Sequence, residues 1–192
     1  MPNVNAPSGL SPVRNGDGSP WNQQANLYYI PQADANAYYI GDLVKSIAGA
    51  DANGVARLTK AVAGDTCRGA IIGVVTDPNA LATISIPATK VRDYYIWVVD
   101  DPNAWFEVQG DNSGTLAATA IGKNANFTVA APTGIVPFSA TVLATATAAV
   151  TATLPLKILG LTQKEGQDFT ANAKILVKFN THELGGAGTL GV

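Results

Sequence analysis

Apolar residues along this chain recur with period two or in short blocks, and no long run shows helical periodicity. The clearest segment is Asp93-Tyr-Tyr-Ile-Trp-Val-Val-Asp-Asp-Pro-Asn-Ala-Trp-Phe-Glu-Val-Gln109. Two runs rich in aromatic and β-branched residues flank an Asp-Asp-Pro-Asn turn. Proline presets φ there, and the Asp and Asn side chains can bond their own backbone. The pattern predicts an antiparallel hairpin. The same design comes earlier, where Gly73-Val-Val-Thr-Asp-Pro-Asn-Ala80 leads into a predicted strand at Leu81–Ile86.

Further strands are predicted at Leu43–Ile47, Val55–Val62, Ala70–Val75, Leu154–Leu161 and Lys174–Asn180, with a hairpin turn at Asp51-Ala-Asn-Gly54. Pro155 restricts its strand to an edge or a strand start. All six tyrosines fall in three Tyr-Tyr-Ile triplets, beginning at Tyr28, Tyr38 and Tyr94. From Ser139 to Leu154 small apolar residues at even positions alternate with Thr or Ser, which predicts an extended segment with one buried face. Such small side chains bury little area, so part of it is expected to be loop or edge held by neighbours.

The first 24 residues differ from the rest. Pro2, Pro7, Gly9, Pro12, Gly16, Gly18 and Pro20 break any periodicity. They predict an extended arm over residues 1–24, anchored by Trp21, that orders against a neighbour. Residues 185–192 read as a flexible glycine-rich tail. Between them, residues 25–184 form one all-β domain, an antiparallel β-sandwich of jelly-roll type with about 8–10 short strands.

Composition changes the picture in one respect. Hydrophobic residues make up 47% and charged residues only 14%, against about 25% charged in ordinary domains. A neutral surface of that kind suits life in an assembly. The formal net charge is −2 and no Lys/Arg cluster occurs, which disfavours nucleic acid as a partner. Neither a signal peptide nor an apolar run long enough to span a membrane is seen, so synthesis in a cytoplasm and no membrane insertion are expected. The lone cysteine, Cys67, reads as a small packed residue.

Candidate chemistry is sparse. His182 is the one histidine, without a nucleophile or further ligands that the sequence can name. Asp93, Asp100, Asp101, Glu107 and Asp111 are dense in one region, but Asp100 and Asp101 sit where a turn wants them. Phosphate-loop, dinucleotide and nucleophile-elbow motifs are absent. No enzymatic activity, metal or cofactor is expected. In the aromatic segment, strand alternation sends some rings inward and others outward. The outward ones suit an interface, where Tyr and Trp are favoured. The interface candidates are Val4, Pro12, Trp21, Tyr95, Trp97 and Trp105.

Three pieces together resemble the head cement, or decoration, proteins of tailed bacteriophages. They are the hairpin from Tyr94 to Gln109, Leu154-Pro-Leu-Lys-Ile-Leu-Gly-Leu161, and Ala173-Lys-Ile-Leu-Val-Lys-Phe-Asn-Thr-His-Glu183. The likeness spans about Ala25 to Glu183. It implies a capsid-stabilising β-sandwich, made in the host bacterial cytoplasm and bound to the outer surface of the virion. Such proteins commonly form homotrimers and bridge neighbouring major capsid subunits. The family brings no catalytic residues. The alternative is a carbohydrate- or receptor-binding module of a phage tail or baseplate, built on the same sandwich.

Overall fold

The computed structural model describes residues 3–77, 84–114, 116–132 and 137–191. Its strands are β1 (Ser11–Arg14), β2 (Asn26–Ile30), β3 (Leu43–Ala50), β4 (Ala56–Lys60), β5 (Gly69–Val74), β6 (Tyr94–Val99), β7 (Trp105–Gln109), β8 (Asn124–Thr128), β9 (Val142–Ala149), β10 (Leu156–Leu161) and β11 (Lys174–Phe179). The only helical element among the described residues is a 3₁₀ turn at Ala118–Ala120. The protein is all-β.

The strands divide into two units. Five close into a barrel in the order β2-β4-β3-β5-β6, and six form an open sheet in the order β1-β7-β11-β10-β8-β9. Closure comes from β2. It runs antiparallel to β6 from Asn26 opposite Val98 to Ile30 opposite Tyr94. Its other edge meets β4 in parallel at Tyr29 opposite Arg57. A single sandwich with an arm was expected; the structure shows two sheets, one of them closed into a five-stranded barrel.

The predicted hairpin at Asp93–Gln109 shows how this arises. Its turn forms as expected, with the Ala104 amide donating to the Asp101 carbonyl at 3.1 Å and the Asn103 amide to Asp101 Oδ1 at 2.8 Å. The flanking strands do not pair with each other. Both edges of β6 are taken by β2 and β5, and both edges of β7 by β1 and β11. The turn therefore carries the chain from the barrel into the sheet. Residues 78–80 of the second Asp-Pro-Asn turn and residues 81–83 of the strand expected after it lie outside those described. Ile86 beyond them makes a lone bridge to Tyr38.

Two cores follow. Tyr28, Ile30, Val44, Leu58, Ile71, Ile96 and Val98 fill the barrel. Leu10, Leu43, Cys67, Phe106, Val108, Phe127, Leu156, Val177 and Phe179 form a second cluster joining barrel and sheet. In β6 the period-two reading holds at Tyr94, Ile96 and Val98, which turn inward. In the Ala/Thr stretch the even-position face does not hold. Leu143 and Thr145 are buried while Ala146 is exposed. The β8–β9 register shifts between Asn124, opposite Ala149, and Asn126, opposite Ala144, and this odd slip of three residues exchanges the two faces.

The described residues of both terminal segments are packed. β1 is an edge strand of the sheet, with Ser11 opposite Glu107. Leu10 is buried in the second core, and the Asn3 amide donates to the Asp168 and Ala171 carbonyls at 2.9 and 3.1 Å. The glycine-rich end, expected to be flexible, is tied down as well. Asn124 donates to the Thr189 carbonyl at 2.7 Å, and the Gly191 amide to the Val150 carbonyl at 3.0 Å.

Candidate interaction surface

Strand alternation places an aromatic stripe on the outside of the barrel. With Tyr94, Ile96 and Val98 inside, Tyr95 and Trp97 must point out. On β2, Leu27 and Tyr29 do the same. Register then sets Leu27 directly opposite Trp97 and Tyr29 opposite Tyr95. The two tyrosine rings stand 5.9 Å apart. Trp97 is 42% and Leu27 37% exposed. Gly73 lies across from Trp97 on β5 and leaves the indole room. The Tyr95 hydroxyl donates to Asp51 Oδ2 at 2.6 Å, which pushes its pKa up to about 12 and lowers that of Asp51.

Beside Trp97 the surface dips into a cavity of about 660 Å³, where the sheet edge meets the barrel. Pro12, Trp21 and Trp97 line it with Leu10, Ile40 and Ile72. Three of the six interface candidates thus share one concavity. Tyr95 lies on the same barrel face but outside the hollow. Trp105 lies on the sheet side, with the Arg14 guanidinium 3.9 Å above its ring. Val4 is 74% exposed and is brought to none of these.

The residues singled out for chemistry hold structure instead. His182 is buried, accepts the Leu184 amide on Nδ1 at 3.0 Å and packs 5.1 Å from the Phe179 ring. Burial lowers its pKa, and burial likewise raises that of Cys67. Asp100 accepts the Tyr28 hydroxyl at 2.5 Å and the Asn26 amide at 2.8 Å. Burial and that bond push the Tyr28 pKa up to about 12. Asp111 caps Ser113 and Thr145, Glu107 pairs with Lys164 at 2.6 Å, and Asp93 accepts the Gln32 amide at 2.8 Å. Among the described residues no group of three His, Cys, Asp or Glu side chains could hold a metal ion. No helix among them is long and apolar enough to cross a membrane.

Two buried polar centres had no signal in the sequence. Lys90 donates to the Asp34 and Asn36 carbonyls, both at 2.6 Å, beneath the loop that carries them. Burial pulls its pKa down against the pull of Asp34. Asp42 is fully buried, pairs with Lys60 at 2.8 Å and accepts the Ser139 hydroxyl at 2.5 Å. Residues this far apart in the chain meet only once the barrel closes.

Comparison with protein-family models, with curated proteins and with solved structures finds no match to this chain. The class that the fold defines is an all-β protein with a barrel and an open sheet sharing a common core.

Proposed function

We propose that this protein is a structural subunit that works by docking on a larger assembly. In its specific form it is a head-decoration protein of a tailed bacteriophage, bound outside the shell and bridging major capsid subunits. The role is non-enzymatic. The observation that carries the docking half is the pairing of Leu27 with Trp97 and of Tyr29 with Tyr95 on one solvent-facing side of the barrel. Aromatic and aliphatic side chains in register on a sheet face give rigid contact area at low entropic cost. The phage half rests on the resemblance of the β6–β7, β10 and β11 segments. A jelly-roll sandwich, homotrimers and residence on the virion surface are the finer parts of the same reading.

The physics suits such a role. A ligand that binds only the assembled shell stabilises it by mass action. Many copies with modest individual contacts act together through multivalency. The test is co-sedimentation of the protein with emptied phage capsids. Leu27→Asp places a carboxylate on the proposed face and is expected to abolish binding without lowering the melting temperature. Full-strength binding by the folded L27D protein would overturn this surface as the docking face.

A further inference from the structure

All three tryptophans of the chain line one continuous trough between barrel and sheet. The hollow beside Trp97 and Trp21 opens into a second of about 400 Å³, which shares Trp21 and Ala25 with it. That one shares Asn15, Gln24 and Asp101 with a third, of about 460 Å³, which reaches Trp105. We propose that this trough binds a neutral oligosaccharide, with successive sugar rings lying on the indoles and their hydroxyls met by the amides between them.

Four observations carry the proposal. First, the lining alternates aromatic faces with Asn and Gln side chains. Indoles match the apolar C–H face of a pyranose, and a primary amide both donates and accepts, as vicinal hydroxyls require. Ligand clefts lie preferentially where two structural units meet. Second, part of the recognising set is unspent, although Asn15 and Asn26 already donate to Ser19 and Asp100, Trp21 to the Gln24 carbonyl, and Arg14 covers one face of Trp105. Trp97 is 42% exposed, and neither its N–H nor the amides of Gln23 and Gln24 bond to another described residue.

Third, Gln23 holds a left-handed backbone, φ 67°, at the lip of the first hollow. A glutamine there costs about 1 kcal/mol or more, and strain of this kind concentrates at binding sites. Fourth, the charges select the ligand. Asp17, Asp100 and Asp101 line the trough, against Lys178 and the Arg14 guanidinium at its Trp105 end. Asp17 is spent on Ser19 and Asp100 on Tyr28 and Asn26. The first hollow carries no charge, and an acidic sugar reaching the second and third would meet carboxylates there, which favours a neutral ligand.

A peptide fits less well. An added strand needs a free backbone edge. The edge of β1 facing the trough is already engaged, through Trp21 N–H to the Val13 carbonyl at 3.3 Å and the bridge between Arg14 and Pro20. The inference stands independently of the capsid reading, because it concerns the isolated protein.

The test is tryptophan fluorescence and calorimetry on the intact protein. The probes are neutral hexasaccharides of glucose (α- and β-linked), of mannose and of N-acetylglucosamine, with hexagalacturonate and a proline-rich peptide as the other arms. Saturable binding of at least one neutral hexasaccharide is expected. Trp97→Ala should weaken it roughly tenfold or more with an unchanged melting temperature, and Gln24→Ala should weaken it several-fold. No saturable binding of any neutral probe overturns the proposal. So does tighter binding of hexagalacturonate or the peptide, or unaltered binding by W97A.

Discussion

Gly9 and Gly41 meet backbone to backbone, and neither leaves room for a Cβ. Both hold positive φ, 67° and 91°. A Cβ on Gly9 would run into the Gly41 carbonyl, and one on Gly41 into the Ser8 carbonyl. The Leu10 amide donates to Gly41 at 2.9 Å, just before Leu10 drops into the core. This contact seats the N-terminal segment against the barrel. Gly9→Ala should therefore combine backbone strain with a clash and cost about 3 kcal/mol or more. Gly18→Ala, at φ 89° with open space around it, should cost about 1 kcal/mol. Urea denaturation of the two variants checks this, and equal losses would contradict the close approach.

Removal of residues 1–22 follows the same logic on a larger scale. It strips β1 from β7 and empties the Leu10 site. The expected loss is at least about 3 kcal/mol, or roughly 6–12 °C in Tm for a chain of this size. Calorimetry reads it directly. A truncated protein with the parent Tm would mean that the segment is an accessory arm after all.

Buried and surface ion pairs should respond differently. Asp42 with Lys60 is buried, at 0% and 12% side-chain exposure, and Asp42 also anchors Ser139 ahead of β9. Asp42→Ala leaves the ammonium uncompensated and should cost about 3–5 kcal/mol. Lys45→Met breaks the partly exposed pair with Asp65 and should change stability by less than about 1 kcal/mol. Chemical denaturation of both variants separates the two. Similar losses would contradict the assigned burial.

His182 makes stability depend on pH in one direction. Burial lowers its folded pKa below 6.5, opposed by a hydrogen bond with the Arg68 backbone and by the Asp100 and Glu183 charges, while the Arg68 charge adds to the lowering. The unfolded chain then binds the proton more readily than the folded one. Stability is therefore complete above about pH 6.5, declines as the pH falls below it, and levels off past the folded pKa. Since His182 is the only histidine, the decline between about pH 7 and 5 belongs largely to it. His182→Asn should flatten that stretch of the denaturation-midpoint profile. An unchanged slope in the variant would assign the effect elsewhere.

Local chemistry was legible in the sequence where it is decided locally. The Asp101 turn, the Asp51–Gly54 hairpin between β3 and β4, and the inward set Tyr94, Ile96, Val98 all follow from side-chain type and spacing. Strand partnership was not legible. The same Asp-Asp-Pro-Asn turn serves a hairpin or a crossing between sheets, and the choice depends on which distant edges compete for β6 and β7. The face of β9 was misread because a register shift leaves no trace in an Ala/Thr alternation. The N-terminal prolines and glycines mark irregular backbone, and irregular backbone packs as well as it dangles once Gly9 can touch Gly41. As for the interaction surface, Pro12 and Trp21 stood out as arm contacts and Trp97 as an outward ring of the aromatic segment. Their meeting with Ile40 and Ile72 around one hollow depends on the closed barrel.

Copy number in purified particles tests the central proposal most directly. Quantitative mass spectrometry would set its abundance against the major capsid protein in the virions to which the proposal assigns it. One copy per shell subunit, or a simple fraction such as one third, is the predicted result for a lattice-bound decoration protein. A handful of copies, or none, would contradict it.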